Sequence, residues 1–171
     1  MGRDKATMLW QGKSFVEHVI SAADPIASDF LIVSDDPDHD VFGYERVPDL
    51  IPNSGPVSGI CGGLQAGKTE WNLLLSCDVP FIKTELLQLL YVEDIDAFDI
   101  IHFISGGRDI PLIGLYRKTC LEPFKKQLEK GRLRVMKALA TVQVKTVEVP
   151  EELERAVRNL NRSEDLRGNE P

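Results

Sequence analysis

The hydrophobic positions along the chain alternate between helical and strand-like patterns. Apolar residues at helical spacing follow Ser14, which can cap a helix, and a continuous apolar run at 30–33 is typical of a strand buried on both faces. Further strand patterns lie at 45–47, 72–77, 100–104, 112–116 and 142–149, and further helical patterns at 56–66, 85–92, 122–129 and 135–139. This order predicts a three-layer α/β fold with a largely parallel sheet, in a single domain over residues 1–171.

The predicted strand at 72–77 is followed directly by a carboxylate, Asp78, and then by Pro80. Ligands of open α/β sheets bind at the carboxyl ends of strands, and Mg²⁺ in nucleotide enzymes takes one or two carboxylates together with substrate phosphates. Asp78 is therefore a candidate metal-binding carboxylate of a nucleotide site. The motif by itself leaves an alternative open, because Asp-x-Pro sequences often form simple turns.

A second candidate segment runs from Asp49 to the predicted helix that Gly55 and Pro56 open. Glycine allows the backbone to approach a ligand closely, and a helix beginning at Pro56 presents free N–H groups and a positive dipole to an anion. Asp49 supplies a second carboxylate that could share the metal or bind a sugar hydroxyl. The alternative is a tight loop followed by a packed helix.

Basic residues offer charge for anionic substrates at two places. Lys5 supplies a point charge suited to phosphate oxygens, although a lysine near a terminus is more often simply solvated. Arg132 and Arg134, with Lys137, form a small basic group where a helix is predicted to begin. This group either binds a second anionic substrate or is a solvated face.

Residues 62–69 fit the P-loop pattern G-x-x-x-x-G-K-[ST] at every position. A P-loop holds phosphate only between a strand and the N-terminus of the next helix. Here the match lies at the end of a predicted helix, and two residues separate it from the next strand. We therefore predict that the match, including Lys68, is a coincidence.

Composition excludes some classes of protein. The net charge of -7 argues against a nucleic-acid binder, which would carry a basic face. The three cysteines, Cys61, Cys77 and Cys120, have no paired spacing, which indicates buried thiols in a reducing compartment. No apolar run is long enough to span a bilayer, and the N-terminus lacks the layout of a signal peptide. We expect a cytoplasmic protein.

Six motifs occur in one order over nearly the whole chain and resemble the molybdenum cofactor guanylyltransferase (MobA) family. They are Met-Gly-x-Asp-Lys at 1–5, Asp49 followed by Gly-Pro-Val-x-Gly-Ile at 55–60, Cys-Asp-Val-Pro at 77–80, Pro-Leu-Ile-Gly-Leu-Tyr at 111–116, Gly-x-x-Arg at 131–134, and Asn-Leu-Asn-x-x-Glu-Asp-Leu at 159–166. Ser163 stands where that family usually has proline.

The resemblance implies a Rossmann-like nucleotidyltransferase fold and a Mg²⁺-dependent reaction. The phosphate of molybdopterin attacks the α-phosphate of GTP, pyrophosphate leaves, and cofactor-delivery proteins are possible partners. The resemblance also implies roles for individual residues: Lys5 and Asp78 catalytic, with Asp78 holding Mg²⁺; Lys5, Asp49, Gly55, Pro56 and Asp78 on the nucleotide; Arg132, Arg134, Asn159 and Asn161 on the pterin side.

The sequence departs from the family pattern at two places. Members ordinarily carry a first strand and a loop, Leu-Ala-Gly-Gly-x-x-x-Arg, directly before Met-Gly-x-Asp-Lys, and we expect both to be missing here, through a misassigned start or a real truncation. After the strand at 30–33, where the family commonly has Asn, this chain has Ser34, Asp35 and Asp36. A carboxylate only accepts hydrogen bonds, and guanine presents N–H donors on its pairing edge, so GTP fits this difference.

Two alternatives to the guanylyltransferase remain open from the sequence. One is a cytidylyltransferase that acts on the same pterin. The other is a truncated, non-catalytic homologue that binds pterin or delivery partners. The expected absence of the phosphate loop suggests this alternative.

Overall fold

The computed structural model describes residues 5–160, in which eight strands and five α-helices follow one another. The strands are β1 Leu9–Trp10, β2 Lys13–Ser14, β3 Leu31–Val33, β4 Glu45–Val47, β5 Trp71–Leu75, β6 Ile100–Ser105, β7 Arg108–Arg117 and β8 Val144–Glu148. The α-helices are α1 Phe15–Ala23, α2 Pro56–Ala66, α3 Thr84–Gln88, α4 Leu121–Glu129 and α5 Val135–Leu139, and 3₁₀ helices cover Pro37–Phe42, Ile95–Ala97, Lys118–Cys120 and Glu151–Val157. Asn161 and Ser163 lie outside the described residues.

The main sheet has the order β5-β7-β6-β8 and is mixed. β7 runs antiparallel to both β5 and β6, whereas β6 and β8 pair in parallel. The reason is local: Gly106 and Gly107, with φ of 54° and 74°, form the two-residue turn that a hairpin requires, so β7 must return alongside β6. The prediction of a largely parallel sheet therefore holds for the direction of β5, β6 and β8 and is wrong for β7.

Helices cover both faces of this sheet. Successive β6 residues point to opposite sides, with Ile101 in one apolar core and Ile100 in the other. The first core contains residues of α1 and α3, and the second contains residues of α2, α4 and α5. The predicted three-layer α/β arrangement is confirmed, and it leaves the carboxyl end of β5 free for Asp78.

β3 and β4 form a separate parallel pair. Every residue of β3 and of β5 is only half-buried, so the prediction of a strand buried on both faces is wrong for β3. The reason is pairing: within residues 5–160, β3 has β4 as its only neighbour, and β5 has only β7.

Helix ends follow the sequence in some cases and not in others. Ser14 caps α1 as predicted, because its hydroxyl accepts the N–H of Glu17 while the Glu17 carboxylate accepts the N–H of Ser14, a complete capping box. Thr84 does not cap α3, which begins at Thr84 itself; its hydroxyl instead donates to the carbonyl of Ala22 in α1 at 2.7 Å. The Thr84 hydroxyl therefore makes a tertiary hydrogen bond to α1 and does not cap its own helix.

None of the three cysteines forms a disulfide within residues 5–160; Cys61 and Cys120 are buried as predicted, whereas Cys77 is only half-buried. Burial raises the pKa of Cys61 to about 11 and that of Cys120 to about 12, so both stay protonated at neutral pH. None of the helices in the described part of the chain has the length and apolar character that crossing a bilayer requires.

Candidate active site

Lys5 and Asp78 lie side by side although 73 positions separate them in the chain. The Lys5 Nζ atom is 3.5 Å from Oδ2 of Asp78, and the side chains are 38% and 13% exposed. The hydroxyl of Ser76 donates to the other carboxylate oxygen, Oδ1, at 2.5 Å. The carboxylate is thus held in one orientation by Ser76 and has a cation beside it at the carboxyl end of β5. Sequence reasoning had not found Ser76, whose only signal was its position two residues before Asp78.

The segment that contains Asn159 comes to the same place. The main-chain N–H of Leu160 donates to the carbonyl of Asp78 at 2.8 Å, and the Leu160 side chain is fully buried. Asn159 is exposed directly beside this bond. The fold therefore brings three of the predicted site segments together, those of Lys5, Asp78 and Asn159.

The loop before α2 is organised by a buried serine. Ser58 is fully buried, and its hydroxyl accepts the N–H of Ile51 at 2.7 Å and donates to the carbonyl of Ile51 at 2.8 Å. Gly55 ends the loop with a φ of 70°, which favours glycine, and Pro56 is the first residue of α2. The two Ser58 bonds therefore hold the loop at the N-terminus of an eleven-residue helix, where main-chain N–H groups are available to an anion.

Asp49 lies just past the end of β4, and Asp35 lies just past the end of β3. Oδ1 of Asp35 accepts the main-chain N–H of Asp49 at 3.1 Å, and a Cβ added at Gly59 of α2 would lie 3.2 Å from Oδ1 of Asp49. Burial, and to a lesser degree the negative charge of Asp35, raises the pKa of Asp49. Asp49 therefore faces α2, and its contacts in the described structure are with Asp35 and that helix, not with the Lys5–Asp78 pair.

The basic loop at 131–134 adjoins the start of α2, since a Cβ on Gly55 would lie 3.9 Å from the carbonyl oxygen of Leu133. Arg132 is exposed and donates through Nη1 to Oε1 of Gln127 at 3.3 Å. Arg134 is exposed and precedes the first residue of α5. Both arginines are thus available at the rim of the Gly55 loop.

The P-loop-like stretch at 62–69 is not a phosphate loop in the fold. Its first half is the last part of α2, where Gly62 is in tight contact with the carbonyl of Pro48. Lys68 is 73% exposed and lies 3.5 Å from Asp29 and 4.0 Å from Glu45. The helix runs into the motif and does not begin after it, so the predicted position of the match is confirmed, and the helix N-terminus that a P-loop needs does not follow it.

No group of three or more His, Cys, Asp or Glu side chains that could hold a metal ion occurs within residues 5–160. A preformed cage is therefore absent from this part of the chain. One carboxylate with open oxygen positions, such as Asp78, fits Mg²⁺ that is held jointly with substrate phosphates, because this ion keeps several ligands that the protein does not supply.

Comparison with known proteins places these features in a family. The family described as "MobA-like NTP transferase domain" has a sequence profile that matches residues 1–145. The chain belongs to this family. A MobA-like NTP transferase is a nucleotidyltransferase, and the resemblance noted from the six motifs is confirmed.

Relatives of this MobA-like chain extend over nearly all of it. A probable molybdenum cofactor guanylyltransferase of Flavobacterium johnsoniae is 36% identical over 166 residues, which are 97% of this chain and 87% of that protein. One from Carboxydothermus hydrogenoformans is 28% identical over 94% of this chain and 83% of that protein.

Solved structures support the fold class. Molybdopterin-guanine dinucleotide biosynthesis protein A from Archaeoglobus fulgidus has a TM-score of 0.80 at 22% identity, covering 98% of this chain and 89% of that one. The 2-C-methyl-D-erythritol 4-phosphate cytidylyltransferase from Thermus thermophilus has a TM-score of 0.67 at 16% identity, covering 95% and 90%. The predicted α/β nucleotidyltransferase fold is confirmed.

Proposed function

We propose that this MobA-like nucleotidyltransferase transfers a guanylyl group from GTP to the phosphate of molybdopterin, with Mg²⁺, in the cytoplasm. The observation that carries the proposal is the juxtaposition of Lys5 and Asp78 at the carboxyl end of β5, 3.5 Å apart. The guanylyltransferase names of the relatives, including one at 36% identity, support the choice of GTP and of the pterin acceptor.

The reaction needs positioning and charge neutralisation more than covalent chemistry. An oxygen of the acceptor phosphate attacks the α-phosphorus of GTP, a new P–O bond forms, the bond to the β-phosphate bridge breaks, and pyrophosphate leaves. Mg²⁺, when bound, would neutralise the charge on the phosphate oxygens. Asp78 would hold this ion, because Ser76 orients its carboxylate and leaves lone pairs of both oxygens open.

Lys5 would bind the phosphate oxygens of the nucleotide. Its 3.5 Å separation from Asp78 is at the long limit for a hydrogen bond, so the ammonium can exchange this partner for a phosphate at little cost. Asp49, Gly55 and Pro56 would contact the nucleotide from the Asp35 side. Arg132, Arg134, Asn159 and Asn161 would contact the anionic pterin.

The test is pyrophosphate release and product mass with GTP, Mg²⁺ and molybdopterin. Asp78→Asn keeps the shape of the side chain and removes its charge, so we expect a loss of at least about 100-fold in turnover with an unchanged melting temperature. Asp24→Asn, an exposed change at the end of α1, is the matched control and is expected to leave turnover unchanged. Wild-type turnover by Asp78→Asn would remove the metal assignment.

The same assay separates the alternatives. Consumption of CTP in place of GTP would identify a pterin cytidylyltransferase. This alternative is compatible with the fold, because a solved cytidylyltransferase has the same fold class as this chain. Binding of molybdopterin without pyrophosphate release from either nucleotide would identify a non-catalytic pterin-binding homologue. Full activity after removal of divalent ions with EDTA would contradict the Mg²⁺ dependence.

A further inference from the structure

A small apolar cluster, separate from the two main cores, lies beside the Lys5–Asp78 pair. It consists of buried Phe15, Phe81 and Leu160, with Met8 and Trp10 packed against them; we call it the Phe81 cluster. Its members come from three stretches of chain that are far apart in sequence. Each stretch also contains a candidate site residue, namely Lys5, Asp78 or Asn159.

The stretch that contains Lys5 has little regular structure of its own and is held by its bonds to the start of α1. The N–H of Val16 donates to the carbonyl of Ala6 at 3.4 Å, and the N–H of Phe15 donates to the carbonyl of Met8 at 2.9 Å. The β1–β2 hairpin then folds Trp10 back onto α1, where Nε2 of His18 lies 2.8 Å from the Trp10 carbonyl oxygen. Trp10 is therefore anchored on a helix while remaining five residues from Lys5.

The stretch that contains Asp78 meets this anchor through Phe81. The rings of Trp10 and Phe81 pack edge to face, with centroids 4.7 Å apart and an interplanar angle of 86°. The guanidinium of Arg155 lies 4.9 Å from the Phe81 ring centre, and the N–H of Leu160 donates to the carbonyl of Asp78. Phe81 is thus the point at which the three stretches converge.

The relative strength of these contacts decides which of them sets the geometry. A partly exposed ion pair at 3.5 Å contributes little net stability, because water competes for both charges. An edge-to-face aromatic pair contributes beyond its buried area and has a preferred orientation. Of these two contacts, the packing of Trp10 on Phe81 is therefore the better able to fix the distance between Lys5 and Asp78.

We propose that Trp10 and Phe81 are positioning residues for nucleotidyl transfer, which hold Lys5 opposite Asp78. They do not touch the reacting atoms in this role. The proposal rests on the proposed function only for the part that Lys5 and Asp78 play in turnover. The geometric part can be tested without any nucleotide.

The first experiment measures the rate at which a lysine-acylating reagent modifies Lys5 in the nucleotide-free protein, read by mass spectrometry. Trp10→Leu removes the ring, so Lys5 separates from Asp78 more often, and acylation is expected to accelerate about two- to tenfold. Phe81→Leu removes the other ring and is made in parallel, so that a folding failure of one variant leaves the test intact. Trp10→Phe keeps an aromatic edge and is expected to restore the wild-type rate.

The matched control is Tyr44→Leu. Tyr44 and Phe30 also form an edge-to-face pair, with centroids 5.5 Å apart. These two residues directly precede the strands β4 and β3. Loss of that ring removes a contact of the same kind outside the Phe81 cluster. Acylation of Lys5 is expected to remain at the wild-type rate in this variant.

The second experiment is the kinetics of pyrophosphate release. Misplacement of Lys5 by about 1 Å is expected to lower kcat up to about 100-fold in Trp10→Leu, with KM for the pterin changed much less. Unchanged Lys5 acylation in both ring-removing variants would overturn the positioning proposal. Acylation of wild-type Lys5 is also measured with Mg²⁺ and GTP present. If these ligands do not slow it, while the ring-removing variants are acylated faster than wild type, the proposed nucleotide role of Lys5 is overturned and the positioning proposal stands.

Discussion

The main-chain N–H of Asp49 donates to Oδ1 of Asp35 at 3.1 Å, and this bond connects the loops that follow two parallel strands. Val33 at the end of β3 pairs with Val47 at the end of β4, so both carboxylates leave the strand pair at one edge. Asp49 is the more buried of the two, and burial is the larger cause of its raised pKa. The fold thus holds an unfavourable charge at the position where the nucleotide is proposed to bind.

The pH dependence of stability follows from this raised pKa. At about pH 3, below the ordinary pKa of an aspartate, the carboxyl of Asp49 is mostly protonated in both the folded and unfolded states, so it destabilises the fold little there. As the pH rises through the folded-state pKa, ionisation of the buried group destabilises the fold. Asp49→Asn is therefore expected to melt at a higher temperature than wild type at pH 7, with the difference vanishing near about pH 3.

Thermal unfolding of both proteins between pH 3 and pH 8 measures this difference. Asp38→Asn, an exposed change in the 3₁₀ helix Pro37–Phe42, serves as the matched control. A gain for Asp49→Asn that is equal at all pH values would contradict the electrostatic cause. Weaker binding of Mg²⁺ and GTP by the more stable variant would identify Asp49 as a residue kept for function.

Gly62 sets the spacing between α2 and the loop that leads to Asp49. A Cβ at this position would lie against the main-chain carbonyl oxygen of Pro48 and 3.4 Å from the N atom of Leu50. Alanine favours a helix over glycine by about 1 kcal/mol, but overpacking against backbone costs about 1–3 kcal/mol. The clash outweighs the helix preference, because backbone cannot rotate away as a side chain can.

Gly62→Ala is therefore expected to lower the free energy of unfolding by about 1–2 kcal/mol in urea denaturation. It should also weaken nucleotide binding, since the Asp49 loop must shift. Gln65→Ala, an exposed change on the same helix, is expected to alter stability by less than about 0.5 kcal/mol. Stabilisation by Gly62→Ala would mean that the loop yields easily.

The Ser58 hydroxyl holds the loop before α2 through hydrogen bonds to both main-chain groups of Ile51. Ser58→Ala leaves both the N–H and the carbonyl of Ile51 without their protein partner, and water restores part of the loss because Ile51 is exposed. We expect a loss of about 1–2 kcal/mol in the free energy of unfolding. Ser54→Ala removes a single 3.4 Å bond to the carbonyl of Pro52 and is the control, with an expected change below about 0.5 kcal/mol.

A Lys68 variant tests whether nucleotide phosphate binds at the P-loop-like sequence or at the proposed site. Its partners Asp29 and Glu45 are surface carboxylates, so Lys68→Ala is expected to change stability by less than about 0.5 kcal/mol. Titration calorimetry with Mg²⁺ and GTP should show wild-type affinity for this variant and at least about tenfold weaker binding for Lys5→Ala. The reverse order would assign phosphate binding to residues 62–69.

The elements that local chemistry defines were predicted well from the sequence. Helices α2 and α5 have the bounds expected from their periodicity, and the Ser14 cap is present, because each depends on residues close together in the chain. The β1–β2 hairpin and Trp10 were missed. Two-residue strands are too short for a period-2 pattern, and Trp10 becomes informative only once Phe81 is seen against it.

The sequence alone determined most of the segments that are helix or strand, which carboxylates follow strands, and to which family the motifs point. The tertiary structure decided that β7 lies between β5 and β6, that Lys5 faces Asp78, and that Asp35 holds Asp49. The physical reason is range: backbone preference and hydrophobic period act over a few residues, whereas strand order and ion pairing depend on groups that only the packed cores bring together.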